Sequence, residues 1–435
     1  IRRGVREKSI FIEAVGYNRK AHALLLLDFP NYAGACEAYE KAIALMNTIN
    51  ISRVKAEPYM GLAIAKHALG DNVAARKYLA LGLQETEQVQ DAWMTALILL
   101  AEVKVMISCQ EWQEAKQILV KAHKLFLDCG DQYGEMHVFF YQSVIALQEK
   151  NAHLFCQCFQ HFTSTCIANG YHYFFQRKSI LGPANLMIFY ELLQYCEHCG
   201  LDNAAIQTLR NDFQMEGNIV YPPDDIQVNL LGSLNLIRNH RKLGDKEWQR
   251  EKSKELFVYF YCHRQRYTPK EEIAHALWPE RSVETVDRDF KVVLNTLLKV
   301  LEPRRNARQD SFFIHRKNNM YQLQHIQFLH IDVERFYYYY TLGMEEFDPH
   351  FSDEWLQLAA DSYTDVLYAE KKQIDWLTQD RDKLQTLYIE VLERLAQNAT
   401  RQHHFKQAIF YAEKMIQEDI LWEEGYRLLM YSYYQ

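Results

Sequence analysis

Little in this 435-residue chain interrupts a helix. It has 16 glycines and 9 prolines, so few turns are punctuated and helices should dominate. No apolar run approaches the roughly 18 residues a membrane helix needs, and Ile1–Ile10 is too charged for a signal-peptide core. No Gly-x-x-x-x-Gly-Lys-Ser/Thr phosphate loop occurs. The nine cysteines are an odd number scattered through helical patterns, which points to reduced thiols in a cytoplasmic protein. Cys156, Cys158, His161 and Cys166, or Cys196, His198 and Cys199, could be read as zinc ligands. They lack the two Cys-x-x-Cys knuckles such sites favour, and buried cysteines are the ordinary alternative. No carboxylate pair or nucleophilic triad has a motif around it. The expectation is a protein without catalysis, metal or cofactor.

What is present is an uneven charge. The net −7 divides into −4 over residues 1–225, +7 over 226–325 and −10 over 326–435. The middle segment holds 19 basic against 12 acidic side chains. A basic stretch between acidic neighbours implies a surface for a polyanion, here double-stranded DNA, with no membrane contact.

The first half repeats. Breaks near Pro30, Gly70, Gln110 and Lys150 recur every forty residues, each followed by a helix: Tyr32–Met46, Asn72–Leu83, Trp112–Leu127 and Ala152–Ala168. First helices such as Ala56–Leu69 and Ala92–Ser108 precede the breaks, and a fifth pair fits Asn185–Gly200 and Leu201–Phe213. Small residues (Ala35, Ala42, Ala63, Ala68, Ala75, Ala115, Ala122) stand where antiparallel helices would approach closely. Asn72–Leu79 and Tyr32–Leu45 resemble the second helix of a tetratricopeptide repeat, with a longer period. Such pairs stack into a solenoid with a binding face. Tyr221-Pro222-Pro223-Asp224-Asp225 reads as a linker.

After it the period changes. Ile226, Val228 and Leu230 alternate, as do Leu234 and Leu236, which predicts short strands over Ile226–Asp245. A helix follows over Glu247–His263. Thr268-Pro269-Lys270-Glu271-Glu272 looks like a helix start with Thr268 as the cap. A third helix spans Val283–Leu301. Phe312–Arg316 and Met320–Leu323 then alternate around the turn Lys317-Asn318-Asn319, where Asn tolerates positive φ. Three helices and a hairpin spell a winged helix. From Ile331 on the pattern is helical again.

The third helix carries the candidate chemistry. Val286, Phe290, Leu294, Leu297 and Leu301 share one face by spacing. The opposite face presents Arg288, Lys291, Val292, Asn295 and Lys299, and a helix bearing such groups fits the major groove. Thr296 joins this candidate set. Arg304, Arg305 and Arg308 in the following loop, and Arg316, Lys317 and Asn318 at the hairpin tip, suit phosphate contacts. A solvated polar face is the plain alternative. The aromatic runs Phe336–Tyr340 and Tyr171–Phe175 read as packing between helices.

Trp248–Phe257, Glu272–Pro279 and Asn295–Pro303 together resemble the winged helix of SARP-type bacterial transcription activators. His330–Phe336, Asp375-Trp376, Arg381–Leu384, Ala408-Ile409 and Asp419–Met430 resemble the bacterial transcriptional activator domain that follows it in that family. The resemblance covers 226–435 and implies DNA-facing roles for Lys291, Asn295 and Lys299, which the helical spacing selects independently. Leu298 stands where the family usually has arginine. The resemblance also implies RNA polymerase as a partner and a dimer on tandem DNA sites. The forty-residue repeats resemble those of the maltose-regulon activator and related signal-transduction ATPases. With Ile1 at the start, an ATPase module is expected upstream. The whole reading is a mainly α protein: a tetratricopeptide-like sensor (1–215) for a small-molecule or protein signal, a linker (216–225), a winged helix with small β-sheets (226–328) and a C-terminal helical-repeat domain (329–435). Its expected function is sequence-specific transcription activation. The rival is a protein-interaction scaffold whose winged helix has lost DNA.

Overall fold

The computed structural model describes every residue except 50, 51, 214, 216–218, 220, 222, 223, 240 and 307. The chain forms two compact units, Ile1–Met215 and Glu216–Gln435.

After one turn of helix, α1 (Arg2–Arg6), the first unit pairs its helices. These are α2 (Ile10–Leu25) with α3 (Tyr32–Ile49), α4 (Ser52–Ala68) with α5 (Asn72–Val89), α6 (Ala92–Ser108) with α7 (Trp112–Cys129), and α8 (Gln132–Gln148) with α9 (Ala152–Ala168). A short α10 (Tyr173–Gln176) and an irregular stretch lead to α11 (Ile188–Cys199) and α12 (Ala204–Asp212). The repeat is written in its turns. Left-handed backbone recurs every twenty residues, at Gly70, Gln90, Gln110, Gly130, Lys150 and Gly170. The residue after it caps the next helix at Asp71, Asp91, Asp131 and Asn151, whose side chains accept from Ala74, Met94, Gly134 and Leu154 N–H. Glu111 holds the same place without a side-chain cap and instead takes Arg76 of the preceding pair at 2.6 Å. Ala35, Ala42, Ala63, Ala75, Ala115 and Ala122 are fully buried, as their spacing predicts, whereas Ala68 is exposed at the end of α4. First helices of successive pairs also touch, α4 on α6 and α6 on α8, and so form an inner row.

The second unit opens with an antiparallel sheet of β1 (Ile226–Asn229), β2 (Asn235–Arg238) and β3 (Arg241–Lys242), in that order. Ile226, Val228 and Leu236 are fully buried, the inward half of the alternation. Then come α13 (Asp245–Trp248), α14 (Glu251–Cys262), β4 (Thr268–Pro269), α15 (Lys270–Leu277), α16 (Val283–Leu301), β5 (Ile314–Lys317) and β6 (Met320–Leu323). The second sheet runs β4-β6-β5. Two details differ from the expectation. The helix expected over Glu247–His263 is broken at Gln249, where φ is 56°, because α13 packs on α16 separately and buries Trp248. Thr268 is no cap: Thr268 and Pro269 pair with Tyr321 and Met320, and α15 starts without a side-chain cap. The open edge of β6 needs main-chain partners, and this pairing supplies them.

The chain ends in α17 (Asp332–Glu345), α18 (Pro349–Ser362), α19 (Asp375–Arg401), α20 (Phe405–Glu418) and α21 (Glu423–Tyr434). These helices are bolted to the winged helix. The buried Asp332 carboxylate accepts Leu230 N–H (2.8 Å), Leu231 N–H (3.0 Å) and its neighbour Val333 N–H (2.8 Å). Arg264 of the winged helix meets Glu334 at 2.7 Å, and Lys371 pairs with the buried Glu255. Arg381 donates to the carbonyls of Leu367, Tyr368, Lys371 and Lys372, which shapes the loop ahead of α19. In the stretch expected as a linker, Tyr221 packs edge-on against Phe312 at 5.4 Å and Asp224 accepts from Asn239 at 2.7 Å. Its described residues are thus built into this unit.

Candidate nucleic-acid interface

Helix α16 is amphipathic over five turns. Val286, Phe290, Val293, Leu297, Val300 and Leu301 are buried, packing on α14 and around Tyr321 of β6. Leu294, expected in the core, is only half-buried. Arg288, Lys291, Val292, Asn295 and Lys299 are exposed, so the polar row predicted from spacing faces out. Thr296 does not belong to it. It is 5% exposed and its hydroxyl donates to Val292 O at 3.0 Å, because its place in the helical turn points inward.

Beside the row lies a hollow of about 380 Å³ between α16 and the hairpin, lined by Lys270, Asp287, Lys291, Leu294, Asn295, Leu298, Arg316, Asn319 and Tyr321. Three cations face it. Burial, then the Lys291 charge, hold the Lys270 ammonium below the usual lysine range. Asp287 pairs with Lys270 and, at 2.7 Å, with Lys291. Arg316 stacks 5.7 Å from the Tyr321 ring centre, and its Nε donates to Asn318 O at 3.1 Å. Leu298, in the position where SARP-type winged helices usually have arginine, contributes an apolar patch to the hollow.

The hairpin closes as its sequence predicts. Lys317 pairs with Met320, and Asn318 takes φ 57°. Asn319 is tied to the start of α15, its amide donating to Glu271 at 2.7 Å and its carbonyl accepting Lys270 N–H at 3.0 Å. Lys317 and Asn318 are exposed. In the loop after α16, Arg304 and Arg308 are exposed, but Arg305 is not available for phosphate. Its side chain is 10% exposed and donates to Gln309 O at 2.6 Å and Asn306 O at 3.3 Å, bracing the loop from inside.

Glu302, which neither charge pattern nor helical spacing singles out, organises this region. Glu302 is 2% exposed. Its Oε1 accepts the Ser311 hydroxyl at 2.5 Å and Phe313 N–H at 3.0 Å, so the end of α16 is hydrogen-bonded to the root of the hairpin. Burial raises its carboxyl above the usual range. The only sequence signal was its place in the motif-like run Leu301-Glu302-Pro303. Elsewhere, Cys158, Cys166 and Cys196 are buried, and among the described residues no three His, Cys, Asp or Glu side chains cluster as a metal site would. Phe174, Phe175, Phe336 and Tyr339 pack in cores. No described helix is long and apolar enough to cross a membrane.

Residues 331–435 match the family model of the bacterial transcriptional activator domain. No curated protein matches the chain. Among solved structures, Mycobacterium tuberculosis EmbR in complex with low affinity phosphopeptide is 15% identical, with a TM-score of 0.42 over 48% of this chain and 55% of that one. The match thus spans about half of that protein. The TPR domain of P58(IPK) is 11% identical, with a TM-score of 0.20 over 96% of this chain and 97% of that one.

Proposed function

We propose that the chain, whose residues 331–435 match the family model of the bacterial transcriptional activator domain, is a transcriptional regulator, specifically a sequence-specific DNA-binding activator working in the cytoplasm, without catalysis of its own. The observation that carries this is the row Arg288, Lys291, Asn295 and Lys299, exposed on a helix whose other face is core. Helix α16 enters the major groove. Asn295 is suited to an adenine edge, and Lys291 and Lys299 to guanine. Arg304, Arg308, Arg316 and Lys317 meet phosphates on either side. Asp287 pairs with Lys291 and Lys270 and holds both ammonium groups in place until DNA arrives. RNA polymerase is the downstream partner, two copies bind tandem sites, and residues 1–215 receive the signal.

One observation favours a second reading. Asp287 already neutralises part of the hollow and Leu298 makes it partly apolar, which suits a scaffold that has given up DNA. Selection from random duplex DNA, followed by anisotropy titration at several salt concentrations, separates the two. The activator reading expects an enriched motif, a salt slope of several phosphate contacts, and loss of base preference in Asn295→Ala. No enrichment by the whole chain or by residues 216–435 alone would establish the scaffold. Enrichment by 216–435 alone would mean that the first unit silences the interface.

A further inference from the structure

The first unit brings together two cysteines that are far apart in the chain. Cys156 lies on α9 and Cys199 is the last residue of α11. These helices pack on each other, and the Phe155 ring meets Tyr195 edge-on at 4.8 Å. That contact sets the register. Cys156 follows Phe155, and Cys199 stands one helical turn beyond Tyr195 on the same face. The two thiols interact directly as a result, with the Tyr195 hydroxyl beside the Cys199 sulfur. Spacing along the chain puts Cys156 and Cys199 in separate sets, and the fold takes one member from each.

The neighbouring cysteines are engaged elsewhere. Cys196 is fully buried, and its Sγ donates to Leu192 O at 3.3 Å, back along its own helix. Cys158 is buried and donates to Gln142 Oε1 on α8 at 3.6 Å. Among the described residues no third ligand completes a metal site. What remains is a pair of half-exposed thiols, reachable from solvent and from each other.

Burial, and then the neighbouring Cys199, raise the Cys156 thiol above its ordinary range, so it stays protonated at neutral pH. Cys199 sits between the exposed His198 and Gly200 at the end of α11 and is the sulfur that an oxidant meets first. With hydrogen peroxide as the oxidant, Cys199 Sγ attacks one peroxide oxygen. An S–O bond forms, the O–O bond breaks and water leaves, which gives a sulfenic acid. Cys156 Sγ then attacks that sulfur. The S–S bond forms, the S–O bond breaks, and the oxygen leaves as a second water with the proton of Cys156. Each sulfur loses one electron and the peroxide gains two.

We propose that Cys156 and Cys199 form a peroxide-responsive modification site, in which a reversible disulfide fastens α11 to α9. The bond closes a loop that contains α10 and the irregular stretch before α11, so oxidation stiffens this end of the repeats. This goes beyond the reading of residues 1–215 as the signal-receiving module by giving them a chemical input. It is independent of DNA binding, so the DNA selection keeps its meaning whichever way the following test falls.

The test uses the full chain, reduced, exposed to hydrogen peroxide and then blocked with N-ethylmaleimide. Trypsin releases Cys156 in peptide 151–177 and Cys199 in peptide 179–210. Digestion without reductant is expected to give these two as one species, which dithiothreitol separates and whose fragmentation places the bond between Cys156 and Cys199. Cys199→Ser is expected to lose that species, and Cys196→Ala to keep it. Native cleavage after Arg177 or Lys178, inside the closed loop, is expected to be several-fold slower in the oxidised chain and to recover with dithiothreitol. A bond from Cys196 to Cys199, a bond only between two chains, or no bond at peroxide that already carries Cys199 to the sulfinic acid overturns the inference. A cross-linked chain cut as fast as the reduced one overturns the stiffening. If Cys196→Ala loses helical circular dichroism, fragmentation of the wild-type species decides alone.

Discussion

Neighbouring residues on α16 have opposite fates, and the difference is testable. Asn295 is exposed, whereas Thr296 is buried and bonded to its own helix. Thr296→Ala is expected to leave base preference unchanged, in contrast to Asn295→Ala; altered preference in the threonine variant would mean that α16 sits differently on DNA. Lys291→Ala is expected to relax preference at one base position, costing about 1–3 kcal/mol there, as a guanine contact requires. Equal weakening of all sequences, with the salt slope lowered by about one, would make its contact phosphate instead. Glu302 acts from behind the surface. Glu302→Ala strips a buried acceptor from Ser311 and Phe313 N–H and is expected to cost about 3 kcal/mol, read by urea unfolding of residues 216–435. A loss under about 0.5 kcal/mol would show that the hairpin root holds without it. Arg305 teaches the same lesson in reverse. A cluster of arginines in sequence does not reveal which one turns inward to satisfy loop carbonyls.

At the scale of elements, the hairpin is expected to lose stability in acid. His325 is held down to about 4 by burial and then by the neighbouring His315. His315 is itself lowered, mainly by burial. The rings are 5.4 Å apart, and His325 stacks on Phe312 at 4.3 Å. Both are neutral when folded, while in the unfolded chain they take up protons below about pH 6.5. The stability present above that value is therefore lost as pH falls from about 6.5 toward 4. Urea midpoints for residues 216–435 at pH 7 and pH 5 should differ accordingly, and His325→Asn should narrow the gap. Asn suits the site because His325 has φ 54°. An equal gap in the variant would move the acid sensitivity elsewhere. Thr268 shows why element boundaries escape sequence reading here. Its neighbourhood carries every local sign of a helix start, yet the open edge of β6 captures its backbone.

For the whole molecule, charge and packing divide along different lines. The basic stretch 226–325 and the acidic stretch 326–435 lie within one compact unit, so opposite charges are joined in one body. Asp332 is the central fastener, with three N–H groups on its buried carboxylate. Asp332→Ala is expected to destabilise residues 216–435 by about 3 kcal/mol and to turn one unfolding transition into two as the winged helix and the C-terminal helices uncouple. A single transition at an unchanged midpoint would mean that Arg264–Glu334 and Lys371–Glu255 suffice. In the first unit no comparable fastener is needed, because each helical pair leans on the next.

Much of this was legible from residue order. The forty-residue period, α16 with its outward row, the left-handed Asn318 and the helical pattern from Ile331 on rest on local spacing and backbone preference, which act within a turn or two of chain. The SARP-like motifs pointed to the C-terminal domain through Asp332, Trp376 and Arg381 without saying what those side chains do. The inward turn of Thr296 and Arg305, the bond from Glu302 to the hairpin, the capture of Thr268 by β6 and the meeting of Cys156 with Cys199 were not legible. Each joins groups that lie on different elements or turn on which way one side chain points, and such choices follow from burial and hydrogen-bond satisfaction in three dimensions.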